Sequence, residues 1–258
     1  VLADGRLLEL GHRTIKGVTG YDLTSLFIGA EGTLGVIVEA TVKLRPLVLG
    51  PVATISAGFA SVEDAARASA VITSSGLQPA IMELIGESAM AGIARHLRIP
   101  EPGGSRLIIQ FDGPGAETES AAALTIITSL GGTGSLTTDR EEGEALFAIR
   151  RAIHPSMAAL GTTLIEDVCV PRSQLPAMFA AISAIEAKYG ITIPTVAHAG
   201  DGNLHPNFIF QGTEVPPEIW SAADELFLAA LRLGGTLTGE HGVGVLQRRW
   251  LADELGDD

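Results

Sequence analysis

The sequence predicts an α+β fold in which an antiparallel sheet is covered by helices, and three observations lead there. Strand-like and helix-like segments alternate as β-α-β, β-α-β over roughly 90 residues. Helix-start signals stand where that alternation needs them. The texture also changes at residues 47–51, a short linker between a glycine-rich opening segment and the regular elements after it. This order suggests a split β-α-β, ferredoxin-like cap; another α+β sandwich of the same elements has the same periodicity.

Taken in order, residues 1–6 read as the middle of a β-hairpin. Residues 34–44 alternate apolar and polar and read as a strand stopped by Arg45-Pro46, because proline lacks a backbone donor. Residues 52–59 are a second strand. Ser61 then caps a helix over 62–74, with Asp64 three residues on in a capping-box position. Residues 80–84 and 106–111 read as short strands separated by a helix over 87–97. A helix over 118–130 is stopped by Gly131-Gly132. Helices over 142–159 and 173–189 flank a strand over 163–170. Finally, an apolar strand around residue 195 turns through Gly200-Asp201-Gly202-Asn203 into another.

Composition narrows the function. The 258 residues carry a net charge of −13, and so acidic a surface repels phosphate backbones; no nucleic-acid partner is expected. No run reaches the roughly 18 apolar residues of a membrane span, and no secretory leader pattern opens the chain. Cys169 is the single cysteine, which excludes an intrachain disulfide or a multi-cysteine metal site. In the apolar run Val168-Cys169-Val170 it reads as core. A reducing, cytoplasmic compartment fits. The chain opens without an initiator Met and closes just after a helix, so both ends read as cut from a longer protein.

Two glycine-rich stretches carry candidate chemistry. In the first, His198 and His205 stand at strand ends on either side of the Gly-Asp-Gly-Asn turn. Imidazoles on rigid strand ends suit zinc or another borderline divalent ion. Asp201 and Asn203 are turn residues by type. In the second, glycines flank Glu240-His241 and permit close backbone approach. Two histidines and a carboxylate suffice for a catalytic metal with an open position, and a third histidine suits a general base. A lone histidine in a glycine turn is usually structural; three with a glutamate point to a site. Gly29-Ala30-Glu31-Gly32-Thr33-Leu34-Gly35-Val36-Ile37 is neither a Walker loop nor a dinucleotide fingerprint.

Gly17-Val18-Thr19-Gly20-Tyr21-Asp22-Leu23, the Gly29–Ile37 segment, the His198–His205 stretch and Gly239-Glu240-His241-Gly242-Val243-Gly244 occur in that order. Together they resemble the FAD-linked oxidases, the family that includes the glycolate oxidase FAD subunit, D-lactate dehydrogenase and D-2-hydroxyglutarate dehydrogenase. Met82-Glu83-Leu84, Val170-Pro171-Arg172 and Lys188-Tyr189-Gly190 lean toward the glycolate oxidase type.

The resemblance implies residues 1–47 as the C-terminal remnant of a flavin-binding domain and 48–235 as a substrate cap. Residues 236–258 would return toward the flavin. It implies FAD as cofactor and a divalent metal, usually zinc, on His198, His205 and Glu240. His241 would take the proton of a small D-2-hydroxy acid while hydride leaves for the flavin. Asn207 would contact substrate, and Arg150, or the adjacent Arg151, would hold its carboxylate. Gly32, Thr33, Gly35, Val36 and Ile37 would line the flavin.

Ile165 stands where the hydroxyglutarate enzymes carry a lysine, which favours glycolate or D-lactate over a dicarboxylate. An electron acceptor or partner oxidase subunits are implied, with peripheral attachment at the inner face of a membrane. With most of the flavin domain absent, this stretch alone is expected to be inactive. A metal-stabilised binding module and a metallohydrolase are the competing readings; the first needs neither His241 nor Arg150, and the second leaves the Gly29–Ile37 segment unexplained.

Overall fold

A computed structural model describes residues 1–256. The opening segment holds one short helix, α1 (Leu23–Phe27), whose start is capped by the Asp22 carboxylate accepting the Ser25 N–H at 3.0 Å. The expected strand over residues 34–44 does not form. Alternation cannot make a strand without a ladder partner, and among the described residues its backbone hydrogen bonds are the two exchanged between Val36 and Val1. Its apolar side chains stay exposed, Val42 at 71% and Leu44 at 84%. Residues 1–6 close a turn through Leu2 and Arg6 but build no hairpin strands.

The regular structure begins with β1 (Val52–Phe59), α2 (Val62–Ser74) and β2 (Ile81–Ile85). The Ser61 hydroxyl accepts the N–H of Asp64 at 3.1 Å and donates to its carboxylate at 2.8 Å, so the expected cap is present. Then come α3 (Glu87–Leu97), β3 (Ser105–Asp112), α4 (Ala116–Ser129) and β4 (Thr133–Thr137). These four strands pair antiparallel in the order β4-β1-β3-β2, the ferredoxin-like arrangement.

The sheet does not stop there. The single helix expected over 142–159 is two, α5 (Arg140–Arg151) and α6 (Ile153–Ala158). Pro155 causes the break, because it has no N–H for the Arg151 carbonyl and its ring crowds that carbonyl. The strand expected over 163–170 is likewise two, β5 (Thr162–Ile165) and β6 (Val168–Cys169), parted by Glu166 and Asp167. After α7 (Leu175–Tyr189) come β7 (Thr195–His198) and β8 (Asn203–Phe210), then α8 (Pro217–Arg232) and α9 (Leu251–Leu255). Strands β7, β8 and β5 extend the sheet from the edge of β2, and β6 also pairs with β8.

One sheet face packs on α2, α4, α7 and α8 through the larger core, with Ile55, Leu107, Phe111, Phe208 and Phe227 fully buried. The other face packs on α3, α5 and α6 through Ile85, Ile108, Phe147 and Val196. Cys169 is not a core residue: it is half-buried at the sheet margin, its Sγ 3.8 Å from the Asp201 carbonyl oxygen. Among the described residues, no helix is long and apolar enough to cross a membrane.

Candidate active site

Cross-strand partners share a sheet face, and that rule assembles half of the site. Glu83 on β2 lies opposite His198 on β7, which lies opposite Asn203 on β8; two rungs along, on the same face, Ile85, Val196 and His205 are paired. Both histidines therefore face the α5–α6 side. The turn between them closes tightly: Gly202 has φ +93°, and a Cβ there would sit 2.1 Å from the Val170 carbonyl oxygen. Asp201 serves the turn as its type suggests, its carboxylate accepting the Asn203 N–H at 3.2 Å.

The other half arrives on a loop. Thr236 bridges to Cys169 and brings residues 238–242 alongside β8, close enough that a Cβ on Gly239 would meet the Asn203 side chain at 2.3 Å. One carboxylate shapes that loop. Asp167 is fully buried, and its Oδ2 accepts the Thr238 hydroxyl (2.6 Å) and the backbone N–H groups of Gly239 (2.9 Å), Glu240 (2.9 Å) and His241 (2.8 Å). The Thr238 hydroxyl in turn accepts the Gly242 N–H at 2.8 Å. Burial pushes the Asp167 carboxyl up, but the Thr238 hydroxyl and the His241 and Glu240 N–H groups together hold it below the usual carboxylate range.

Three potential ligand groups converge as a result. Glu240 Oε1 lies 3.0 Å from His205 Nε2 and 3.5 Å from His198 Nε2, and all three ligand atoms fall within 4.8 Å of one another. His241 stacks on His205, ring centroids 4.9 Å apart and planes 12° from parallel, with its Nε2 3.9 Å from Glu240 Oε1. His198 Nδ1 lies 2.7 Å from Glu83 Oε1, and the other Glu83 oxygen accepts from Arg150 Nε at 2.9 Å. That hydrogen bond raises the His198 imidazole above its ordinary value against the opposing effect of burial. His205 moves the other way, lowered by burial. Burial works to raise Glu83, yet His198 and Arg150 together leave it lowered.

Residues 51–258 match the family of FAD linked oxidases, C-terminal domain. The chain belongs to this family. It is 38% identical to the glycolate oxidase subunit GlcD of Bacillus subtilis over 99% of its own length and 56% of the relative's. It is 32% identical to a probable mitochondrial D-lactate dehydrogenase of Danio rerio, over 99% of this chain and 54% of that one. The chain thus spans about half the length of the curated relatives it matches. Among solved structures the fold resembles alkyldihydroxyacetonephosphate synthase, with TM-score 0.59 at 17% identity over 86% of this chain and 46% of that one. It also resembles p-cresol methylhydroxylase with substrate bound, TM-score 0.52 at 14% identity, covering 72% and 44% respectively.

The two separate motifs bring His198, His205, Glu240 and His241 together. Of the two candidate arginines, Arg150 points to the site through Glu83, whereas Arg151 pairs with Glu144 on the exposed surface. Asn207 is buried, and its side-chain N–H groups donate to the carbonyls of Pro194 (2.9 Å) and His205 (2.8 Å), so it braces the β7–β8 pair. Ile165 lies opposite it on β5. Ile37 has an exposed side chain, and Gly32, Thr33, Gly35 and Val36 before it line a depression of about 150 Å³ beside Val1 that no imidazole lines. That is well short of the roughly 300 Å³ or more of a ligand pocket, so this stretch encloses no flavin by itself.

Three acidic residues were not anticipated as site residues: Asp167, Glu83 and Glu31. Glu31 accepts the N–H groups of Val243 and Gly244 and so ties the opening segment to the loop just past His241. The available signal was chemical: Glu83 and Asp167 interrupt apolar strands, and a carboxylate buried there requires donors.

Proposed function

We propose that this chain supplies the substrate side of an FAD-dependent dehydrogenase that oxidises a small D-2-hydroxy acid, of glycolate or D-lactate type, to the 2-oxo acid. In this reading residues 1–47 belong to the flavin-binding domain, 48–235 form the cap, and 236–258 return to the flavin side. The observation that carries it is the convergence of His198, His205 and Glu240 beside His241, on the face that Arg150 reaches through Glu83.

The donor set fits a divalent metal. Bonds of roughly 2.0–2.2 Å to a tetrahedral zinc put ligand atoms about 3.4 Å apart, and the Glu240 contacts to the imidazoles measure 3.0 and 3.5 Å. Such an ion, when bound, favours the alkoxide form of a coordinated hydroxyl. Flavin, when bound, supplies the hydride acceptor; the exposed Gly32–Ile37 backbone suits one wall of its site and no more.

The chain's own residues do the rest. His198, His205 and Glu240 would hold the metal. With its Nε committed to Glu83, Arg150 keeps its terminal nitrogens for the substrate carboxylate, a bidentate match. His241, half-exposed beside Glu240, takes the hydroxyl proton. Both Asn207 amide hydrogens are used, so its contact with substrate falls to Oδ1. Ile165 offers no cation to a second carboxylate, which supports a small monocarboxylic acid. Electrons then pass to an external acceptor or a partner oxidase subunit.

The test is anaerobic mixing of the full-length protein with D-lactate or glycolate while flavin absorbance is followed, with metal analysis on the same samples. His241→Ala should lower kcat by about 10²–10⁴ and leave metal and flavin in place, whereas His198→Ala should lose metal too. Wild-type bleaching rates in His241→Ala remove it from the mechanism. Metal loss in that variant moves it into the ligand shell. No bleaching in the wild type returns the chain to a binding module or hydrolase.

A further inference from the structure

Asp167 has two oxygens with different surroundings. Oδ2 is saturated by the Thr238 hydroxyl and three consecutive backbone N–H groups. Oδ1 is buried with no hydrogen-bond partner, and it lies 3.8 Å from His205 Nδ1, which is buried without a partner as well. Two orphaned polar atoms facing each other inside a protein are costly apart and complementary together. At His198 the same arrangement is already closed: Nδ1 meets the Glu83 carboxylate at 2.7 Å while Nε2 faces Glu240.

We propose that Asp167 is a positioning residue that sets both halves of the site, its Oδ2 fixing the Glu240–His241 backbone and its Oδ1 receiving the Nδ1–H of His205. The neutral ring then presents its Nε2 lone pair toward Glu240, as a metal-ligating histidine must. Each histidine thus has its own buried carboxylate behind it, Glu83 for His198 and Asp167 for His205. Asp167 differs in reaching the other motif too: one side chain couples a ligand on β8 to the ligand and the base on the loop. Asp167, His205 and His241 also bring one ligand atom each within 4.8 Å of one another, so the His205 tautomer, and not metal loss alone, separates a positioning role from a ligand role. This inference rests on the metal-assisted reading above.

The experiment uses the full-length protein. Long-range proton–nitrogen NMR on labelled histidines of the metal-free protein reads the His205 tautomer, and titration with Co²⁺ alone reads the site by its visible spectrum. The wild type should show His205 protonated at Nδ1. In Asp167→Asn the amide keeps an oxygen for the loop and turns an N–H toward His205. The ring should switch to the Nε2–H form, and Co²⁺ affinity should fall about 10–100-fold, as for other outer-shell partners. Thr238→Val removes one donor from Oδ2 and the support of Gly242 but leaves Oδ1 in place. It should keep the tautomer and the Co²⁺ affinity while lowering kcat at unchanged KM.

A folded Asp167→Asn with wild-type tautomer and Co²⁺ affinity overturns the proposal and leaves Asp167 a loop brace. Should that variant not fold, an Nε2–H tautomer for His205 in the wild type or in Thr238→Val overturns it equally. If the wild type binds no Co²⁺, the metal-assisted reading falls, and the tautomer still decides the role of Asp167.

Discussion

Replacing Glu83 with glutamine keeps the shape of a buried side chain and removes its charge. Glu83 accepts two charge-assisted contacts, 2.9 Å from Arg150 Nε and 2.7 Å from His198 Nδ1. Such bonds are worth about 1.5–3 kcal/mol each against about 1 for neutral ones, so Glu83→Gln should lose about 1–4 kcal/mol across the pair. Arg150 keeps a quarter of its side chain in water, which places the loss toward the lower half of that range.

The pH dependence follows from two shifts of opposite sign. Glu83 is held below its ordinary 4.5, so its contribution is present above that value and fades as pH falls through the lowered one. His198 is raised above 6.5, so its share is complete below 6.5 and is lost as pH rises through the raised value. In metal-free protein the gap between wild type and variant should be widest between these ordinary values, 4.5 and 6.5. Urea unfolding at three pH values reads it, and Co²⁺ titration near neutral pH should show affinity down about 10–100-fold. KM should rise as Arg150 loses its anchor. A gap that is flat in pH, together with unchanged Co²⁺ affinity, would refute the linkage of Arg150, Glu83 and His198.

Two further predictions concern the surroundings of the site. Glu166 is buried, and desolvation pushes its carboxyl up to about 7 against the pull of Gln247 and Arg249. A raised carboxyl stabilises the fold below its ordinary 4.5, and that contribution is lost as pH rises through about 7. Glu166→Gln should therefore match wild type near pH 4.5 and exceed it at pH 8 by up to about 3 kcal/mol; equal unfolding midpoints at pH 8 would count against this. Gly202→Ala places a Cβ on the Val170 carbonyl oxygen in left-handed backbone and should cost about 1–3 kcal/mol. A Tm within a degree of wild type would show that the turn can shift.

The parts of the fold written in local pattern were legible. Ser61 and Asp64 announce α2, and the paired glycines after residue 130 end α4, because caps and breakers act within one turn of chain. The strand over 34–44 misleads because alternation states what a strand would bury, while its existence depends on a neighbour to pair with. β4 was silent: Thr133-Gly134-Ser135-Leu136-Thr137 has one large apolar residue and exists because β1 offers an edge. At the site, imidazoles in glycine turns announce themselves. Glu83 and Asp167 show only as acids in apolar runs, and their roles do not show, since their partners lie 67 and 115 residues away for Glu83 and 71–74 for Asp167. What a buried acid does is decided by what the chain brings to it.

The two halves of the site differ in how firmly they are carried. His198 and His205 stand on neighbouring strands joined by ladder hydrogen bonds and paired on both sides within a wide sheet. Glu240 rides a half-exposed loop gathered by one carboxylate and tethered to the opening segment by Glu31. On the metal-assisted reading proposed above, an ion would meet the standing imidazole pair first and the glutamate would close afterwards, with the loop leaving first on release. The lifetime of such an ion would then depend on the loop, and through Glu31 on whatever restrains residues 1–47.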